Sequence, residues 1–382
     1  MTYSELTPAE LFEEGAAGPG INERSWLVRW DLLGGDAEQI VYESLPAVVD
    51  FHTSGTTGPS QCWRRTRDQL WAEAGLLADL VRQGRPEAIV SFAPPRHLYG
   101  ALTTLLLPVR LGIPVWYRPQ YFGEMPKTGH SRLVIVAVPW TFSILRRHAS
   151  WVSEARHLTV LHSTATLPAI AGTFLSETRG GAGTKSGAGE DRVRLVEVFG
   201  STEAGGIATR DWTPGDVLWR LLDDVEFAEP PARAGEETPL VIRSPRLAFR
   251  PGEEPAGVWQ TDDFVEVAGE RSFRFAGRRS RLVKINGRRV NLDDLEHSAR
   301  AVLRCADLAF LPVEDAMSGE HLDLLVASEP GTSLSEAAVR SSLGQISVRP
   351  RQVHLVDRID RTDTGKLRRV QRPLISAEGG ET

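Results

Sequence analysis

Ala47-Val48-Val49-Asp50-Phe51 runs through His52 directly into Thr53-Ser54-Gly55-Thr56-Thr57-Gly58. The apolar run reads as a strand. The hexamer after it holds two glycines, which let the backbone turn at positive φ and approach a ligand closely. Its threonines and serine add hydroxyl donors. A helical pattern follows from Thr66 to Arg82, with Leu70, Leu76, Leu77, Leu80 and Val81 forming one apolar face. Between a strand and a helix, such a loop offers backbone N–H groups and hydroxyls to phosphate oxygens. Taken alone, the hexamer is equally an ordinary Ser/Thr/Gly turn.

Outward from this stretch, short apolar runs rich in β-branched residues recur at Ala88–Phe92, Leu133–Val138, Leu158–Leu161 and Val193–Val198. They alternate with helical stretches such as Ala101–Leu111 and Pro139–Ala149. That alternation predicts an α/β domain with largely parallel strands. Near the start, Thr7-Pro8 with Glu10 has the form of a capping box and an N1 proline. Residues 176–192 are rich in Gly, Ser and charge without periodicity, and read as a surface loop. A boundary falls at Ala276–Arg281. Beyond it, Asn291–Leu303 and Leu334–Leu343 read as helices, and Leu308–Val313, Leu322–Val326 and Val353–Val356 as strands. The expected organisation is a large α/β domain over residues 1–278 and a small α+β domain over residues 279–382 joined by a hinge.

The length of 382 residues suits two or three domains with full cores. A net charge of −6 provides no global basic field for nucleic acid or anionic lipid, so acidic ligands need local devices. Cys62 and Cys305 are far apart and in no metal-binding pattern, so reduced structural thiols are expected. The N-terminus lacks an apolar signal region, and the most apolar stretch, Ala101–Val115, is broken by Pro108 and Arg110. The expected location is the cytoplasm.

Further constellations follow along the chain. Phe199-Gly200-Ser201-Thr202-Glu203-Ala204-Gly205-Gly206 comes after the run Val193–Val198. A carboxylate flanked by glycines and hydroxyls at a strand's C-terminal end suits Mg²⁺ beside a nucleotide; it also suits a capped turn. Trp259-Gln260-Thr261-Asp262-Asp263-Phe264 pairs two carboxylates, as a ribose diol or a simple cap would use. Gly277-Arg278-Arg279-Ser280-Arg281-Leu282-Val283-Lys284-Ile285-Asn286-Gly287 is strongly basic. Asp360-Arg361-Thr362-Asp363-Thr364-Gly365-Lys366-Leu367 places one lysine in a loop.

These five segments, in this order, resemble the core motifs of the adenylate-forming superfamily, which includes acyl- and aryl-CoA ligases, luciferases and the adenylation domains of peptide synthetases. The resemblance covers nearly everything after Phe51 and implies an ATP-dependent ligase that makes an acyl-AMP. By position it implies that Thr53, Ser54, Gly55, Thr56, Thr57 and Gly58 hold the ATP phosphates. Thr202 would contact the α-phosphate and Glu203 would bind Mg²⁺. Phe199, Gly200 and Ser201 would lie beside the adenine, and Asp263 with Arg278 at the ribose. Lys366 would bridge the substrate carboxylate and the α-phosphate. His97 in Phe92–Gly100, with Tyr99, and Ser163, Thr164 and Ala165 would form the acyl pocket with Gly205 and Gly206. Ser280 would be the hinge, and Lys284 and Gly287 would serve the second half-reaction.

The chain departs from the pattern at several points. Gln61 stands where the family's phosphate-loop lysine is expected, with Arg64 and Arg65 nearby as substitutes. Ser163-Thr164 replaces a Gly-Gly pair, which should narrow or polarise the acyl tunnel and argues against long fatty acids; together with His97 and Tyr99 it suggests a small, aromatic acid. The stretch before the phosphate loop is shorter than in ordinary members. No carrier-protein domain follows Lys366, so the expected acceptor is coenzyme A, a discrete carrier protein bearing phosphopantetheine, or a non-thiol nucleophile such as an amine. The competing expectation is a relic that binds nucleotide or acyl-adenylate without turnover.

Overall fold

The computed structural model describes residues 3–53, 61–163, 167–179, 192–215, 217–229, 236–285, 288–315, 319–329, 332, 334–346, 348–361 and 367. Described residues fall into two compact units, one reaching to Ala276 and one beginning at Gly277.

The first unit contains β1 (Ser4–Leu6), β2 (Trp26–Val28), β3 (Val48–His52), β4 (Cys62–Thr66), β5 (Ala88–Ser91), β6 (Val115–Tyr117), β7 (Arg132–Ala137), β8 (His157–His162), β9 (Val193–Ser201), β10 (Gly205–Asp211), β11 (Leu218–Leu221), β12 (Glu226–Phe227), β13 (Glu237–Arg243), β14 (Trp259–Gly269) and most of β15 (Ser272–Arg278). Thirteen of these form one sheet in the order β1-β2-β6-β5-β7-β8-β9-β10-β11-β15-β14-β13-β12, while β3 and β4 pair separately. Its central strands β6-β5-β7-β8-β9 are parallel. They are buried almost throughout, which is why they read as unbroken apolar runs. From β9 onward the pairings between β9, β10, β11 and β15, and among β12, β13 and β14, are antiparallel. The expectation of a largely parallel domain therefore holds for the centre only. The reason is connection length: β9 and β10 are joined by Thr202-Glu203-Ala204 alone, and so short a link admits only an antiparallel return.

Two apolar cores fill this unit, one under the parallel strands and one under the antiparallel strands. The helix Arg67–Arg82 serves both. A capping box of Thr66 and Gln69 starts it. Leu70, Leu77 and Val81 enter the first core, and Leu76 and Leu80 pack against the second. The Thr7–Glu10 capping box read from the sequence is also present. No helix among the described residues is long and apolar enough to cross a membrane.

The second unit contains β16 (Leu282–Ile285), β17 (Arg288–Asn291), β18 (Asp307–Asp315), β19 (Gly319–Ala327) and β20 (Gln352–Val356). Strands β18 and β19 pair antiparallel, and β19 and β20 parallel. The helices Leu292–Val302 and Glu336–Ser342 contribute Leu292, Leu295, Ala299 and Val339 to a core of its own. Gly277, which opens this unit, has φ +139°, and a Cβ there would collide with the Asn291 side chain, so glycine alone fits. Asn291 in turn caps the helix Leu292–Val302 through Asp293 N–H at 2.9 Å.

Candidate functional site

The hexamer read from the sequence as a phosphate loop falls between β3 and β4 in the chain. Strands β3 and β4 pair from Val48↔Thr66 to His52↔Cys62. Thr53 N–H donates to the Gln61 carbonyl at 3.0 Å, and Gln61 N–H donates to Thr53 Oγ1 at 3.2 Å. These bonds form the neck of the loop; Ser54, Gly55, Thr56, Thr57 and Gly58 lie outside the described residues. The sequence placed this loop between a strand and a helix, but β4 intervenes before the helix begins at Arg67.

At Gln61, where a lysine was expected, the Oε1 accepts a hydrogen bond from Arg250 Nη2 at 3.3 Å. Arg250 lies over the Trp63 ring at 5.1 Å and is otherwise exposed. Sequence reasoning did not single out this cation. Arg65, one of the expected substitutes, is fully buried and turned away from solvent, so it does not serve the loop. Arg64 pairs with Asp50 across the hairpin at 3.1 Å.

The Thr202-Glu203-Ala204 turn joins β9 to β10 at the C-terminal edge of the parallel strands, where open α/β sheets place their ligands. Ala204 N–H donates to Ser201 Oγ at 3.2 Å. The Glu203 carbonyl accepts from Ala248 N–H at 2.8 Å. Its carboxylate is half-buried, with no ion pair among the described residues. Beneath the turn, Arg65 Nη2 donates to the Thr202 carbonyl at 3.2 Å, and Gly206 N–H donates to Glu73 Oε1 at 2.6 Å. Burial lowers the Arg65 guanidinium to about 10, which leaves it charged at neutral pH.

Phe199 is held by an aromatic cluster, with Trp219, Phe273 and Phe275 at centroid distances of 5.3, 5.7 and 5.9 Å. Asp262 and Asp263 lie within β14 and alternate across the sheet: Asp262 is exposed and Asp263 buried. Asp263 N–H donates to Thr261 Oγ1 at 3.1 Å. Arg278 is half-buried at the end of β15.

The segment expected at the acyl pocket reaches the end of β8. His97 precedes the short helix Leu98–Gly100, and the Tyr99 hydroxyl donates to the Leu161 carbonyl at 2.7 Å. Burial pushes the Tyr99 phenol well up, so it remains a donor. Ser163 follows β8 and is half-buried; Thr164 and Ala165 lie outside the described residues. The sequence did not single out the buried polar group beside this segment. His162 is 1% exposed, with no described partner for Nε2, and burial lowers it to about 3. In register beside it on β9 is Glu197, which burial pushes up against the opposing pull of Arg210 at 2.7 Å.

In the second unit, Ser280 lies in the turn Arg279–Arg281 and Lys284 on β16. Gly287 and Lys366 lie outside the described residues. The residues bracketing Lys366 are placed, because Arg361 and Leu367 form an antiparallel bridge. Arg361 makes two bonds to the Asp307 carboxylate, at 2.6 and 2.9 Å.

Among the described residues no three His, Cys, Asp or Glu side chains cluster as a metal cage. A magnesium ion carried on a triphosphate needs no such cage. It is bound by one or two carboxylates plus phosphate oxygens and waters, which the lone Glu203 among hydroxyls fits.

No known family profile matches the chain. A salicylyl-CoA synthase / salicylate adenylyltransferase of a Streptomyces species is 27% identical over 196 residues, 45% of this chain and 35% of that protein. A 4-coumarate–CoA ligase of Halorhodospira halophila is 28% identical over 293 residues, 75% of this chain and 66% of the relative. Among solved structures, an anthranilate CoA ligase in complex with anthranoyl-AMP matches with a TM-score of 0.65 at 17% identity, covering 83% of this chain and 65% of that one. The chain thus spans at most 66% of the length of these proteins. These relatives, an adenylyltransferase and a CoA ligase, agree with the resemblance read from the sequence, and the fold is that of the anthranilate CoA ligase.

Proposed function

We propose that this chain activates a small aromatic carboxylic acid with ATP as its acyl-adenylate and then passes the acyl group to a thiol, that of coenzyme A or of a discrete carrier protein. The observation that carries this reading is the Thr202–Gly206 turn. It ends a parallel strand, its backbone is pinned from below by Arg65 and Glu73, and its carboxylate is in no ion pair among the described residues. The aryl acids in the names of the relatives support the substrate class.

In the first half-reaction the substrate carboxylate oxygen attacks the α-phosphorus and pyrophosphate leaves. Thr202 orients the α-phosphate, Phe199 lies beside the adenine, and Asp263 accepts hydrogen bonds from the ribose hydroxyls. Holding acid and nucleotide together turns a multi-body encounter into an oriented one. Glu203 would hold Mg²⁺, which would supply neutralising charge at the phosphates. In the second half-reaction the thiolate sulfur attacks the acyl carbon and AMP leaves.

The test is ATP–pyrophosphate exchange with magnesium across a panel of hydroxy- and aminobenzoates, cinnamates and short aliphatic acids. Exchange that depends on an aryl acid is the expected result. Nucleotide binding without exchange for any acid would leave a binding protein and overturn the reading.

Arg250 supplies the positive charge that Gln61 lacks. Arg250→Ala is expected to raise the KM for ATP by about fivefold, the upper scale of an exposed charge contact, with the KM for the acid unchanged. Equal changes in both KM values would assign Arg250 a general structural role instead.

A further inference from the structure

Three charged side chains lie beneath the Thr202–Gly206 turn, and the chemistry just described uses none of them. Arg65 is 0%, Glu73 2% and Arg246 1% exposed. Burying such groups costs several kcal/mol per ion, and an apolar cluster of like volume often stabilises a protein as well or better. Their contacts show what they hold in place. Arg65 Nη1 lies 3.2 Å from Glu73 Oε2, and Arg246 Nη1 2.9 Å from the same oxygen. Asp224 completes the set, 2.6 Å from Arg246 Nε.

The free arms of this cluster grip the turn on both sides of Glu203. Arg65 takes the Thr202 carbonyl, Glu73 the Gly206 N–H, and Arg246 Nη2 the Gly206 carbonyl at 2.9 Å. Arg65 also donates to the Arg246 carbonyl at 2.6 Å, which fixes the turn after β13 that holds Glu203 through Ala248. Gly205 has φ +74°, and a Cβ on it would fall 2.5 Å from Glu73 Oε2, 2.9 Å from Arg246 Nη1 and 3.0 Å from Arg65 Nη1. The cluster thus occupies the space a side chain would need. Arg65 lies on β4, the strand that leaves the neck of the phosphate loop at Gln61.

We propose that Arg65, Glu73 and Arg246 are positioning residues that fix the spacing between the stem of the phosphate loop and the Thr202–Glu203 turn, and so set the affinity for magnesium-ATP. This rests on the nucleotide-binding reading of that turn. The cluster acts through backbone groups and touches no substrate.

The test compares wild type with the paired change Arg65→Met with Glu73→Leu, which removes one charge of each sign and leaves Arg246 with Asp224. Equilibrium binding of magnesium-ATP is expected to weaken about tenfold or more, the scale of a sub-ångström misplacement. Amide deuterium exchange should accelerate at residues 203–206, with the amides of β7 and β8 still protected. Glu73→Gln, which keeps an acceptor for Gly206 N–H, should restore both readouts to within a few-fold of wild type. If the paired variant does not fold, Arg65→Lys carries the test, since it keeps the charge but loses an arm to Thr202. A folded variant with wild-type affinity, or with the turn amides still protected, overturns the proposal. Wild type that fails to bind magnesium-ATP removes the nucleotide reading itself, and this inference with it.

Discussion

Lys366→Ala is expected to cut acid-dependent ATP–pyrophosphate exchange by about 10²- to 10³-fold, the cost of losing one preorganised charge at a transition state. Negative charge builds on the oxygens around phosphorus as the carboxylate attacks, and an ammonium on a flexible stem can follow it. The described residue nearest before Lys366, Arg361, is firmly held. Arg361 is bound twice to Asp307, and Arg300 joins the same carboxylate at 2.7 Å. Burial raises the Asp307 carboxyl, but Arg361 and Arg300 outweigh it and hold it below the usual carboxylate range. The anchor is therefore ionised at neutral pH, and its contribution is lost only as the medium becomes acidic enough to protonate it. Thioester formation from a supplied acyl-adenylate should change by no more than a few-fold in this variant. An undiminished exchange rate would remove Lys366 from the mechanism.

The second large effect is on stability. His162 takes up a proton near pH 6.5 in the unfolded chain but resists it to about 3 when folded. Protonation therefore favours unfolding. The folded state loses nothing to this group above pH 6.5 and loses ground progressively below it. At pH 5 the loss amounts to about 2 kcal/mol, from about 1.4 kcal/mol per pH unit. The groups facing His162 are Glu197 on β9, Arg210 on β10 and Phe142 on the helix Thr141–Arg147. Arg210 reinforces the effect by repelling the imidazolium. Glu197 has the opposite sign, since its raised carboxyl gains protons first in the folded state, and comparison with a variant cancels it. His162→Gln should therefore hold its urea midpoint between pH 7 and 5 better than wild type. Parallel pH profiles for the two proteins would refute the burial argument.

Where burial followed ordinary patterns, the sequence was legible. In the second unit β18, β19, β20 and the two helices lie within a few residues of their expected bounds because apolar periodicity and caps such as Asn291 mark them, whereas β16 and β17, in a strongly basic stretch, were not read. Strand β4 was missed because Cys62-Trp63-Arg64-Arg65-Thr66 alternates Trp63 and Arg65 inward, and a buried arginine breaks the apolar signal. The same exception hid the ion cluster. Its one visible trace was Glu73, a carboxylate between Leu70 and Leu77 on the apolar stripe of a helix. The meeting of β4 with the Thr202–Glu203 turn left no mark in the sequence. Spacing alone does not bring Arg65 to Thr202, 137 residues away. Nor did it show Arg250, whose partner Gln61 lies 189 residues earlier.

The helix Arg67–Arg82 faces two cores, and this bears on how the first unit comes apart. Its Leu77 and Val81 belong to one core, its Leu76 packs against the other, and its Leu80 packs against both. Loosening the helix withdraws apolar surface from the parallel and antiparallel halves together, so neither half melts as a separate foldon. The two halves of the sheet are therefore one cooperative block, and a chain severed after this helix would leave the antiparallel fragment without the inner wall of its own core.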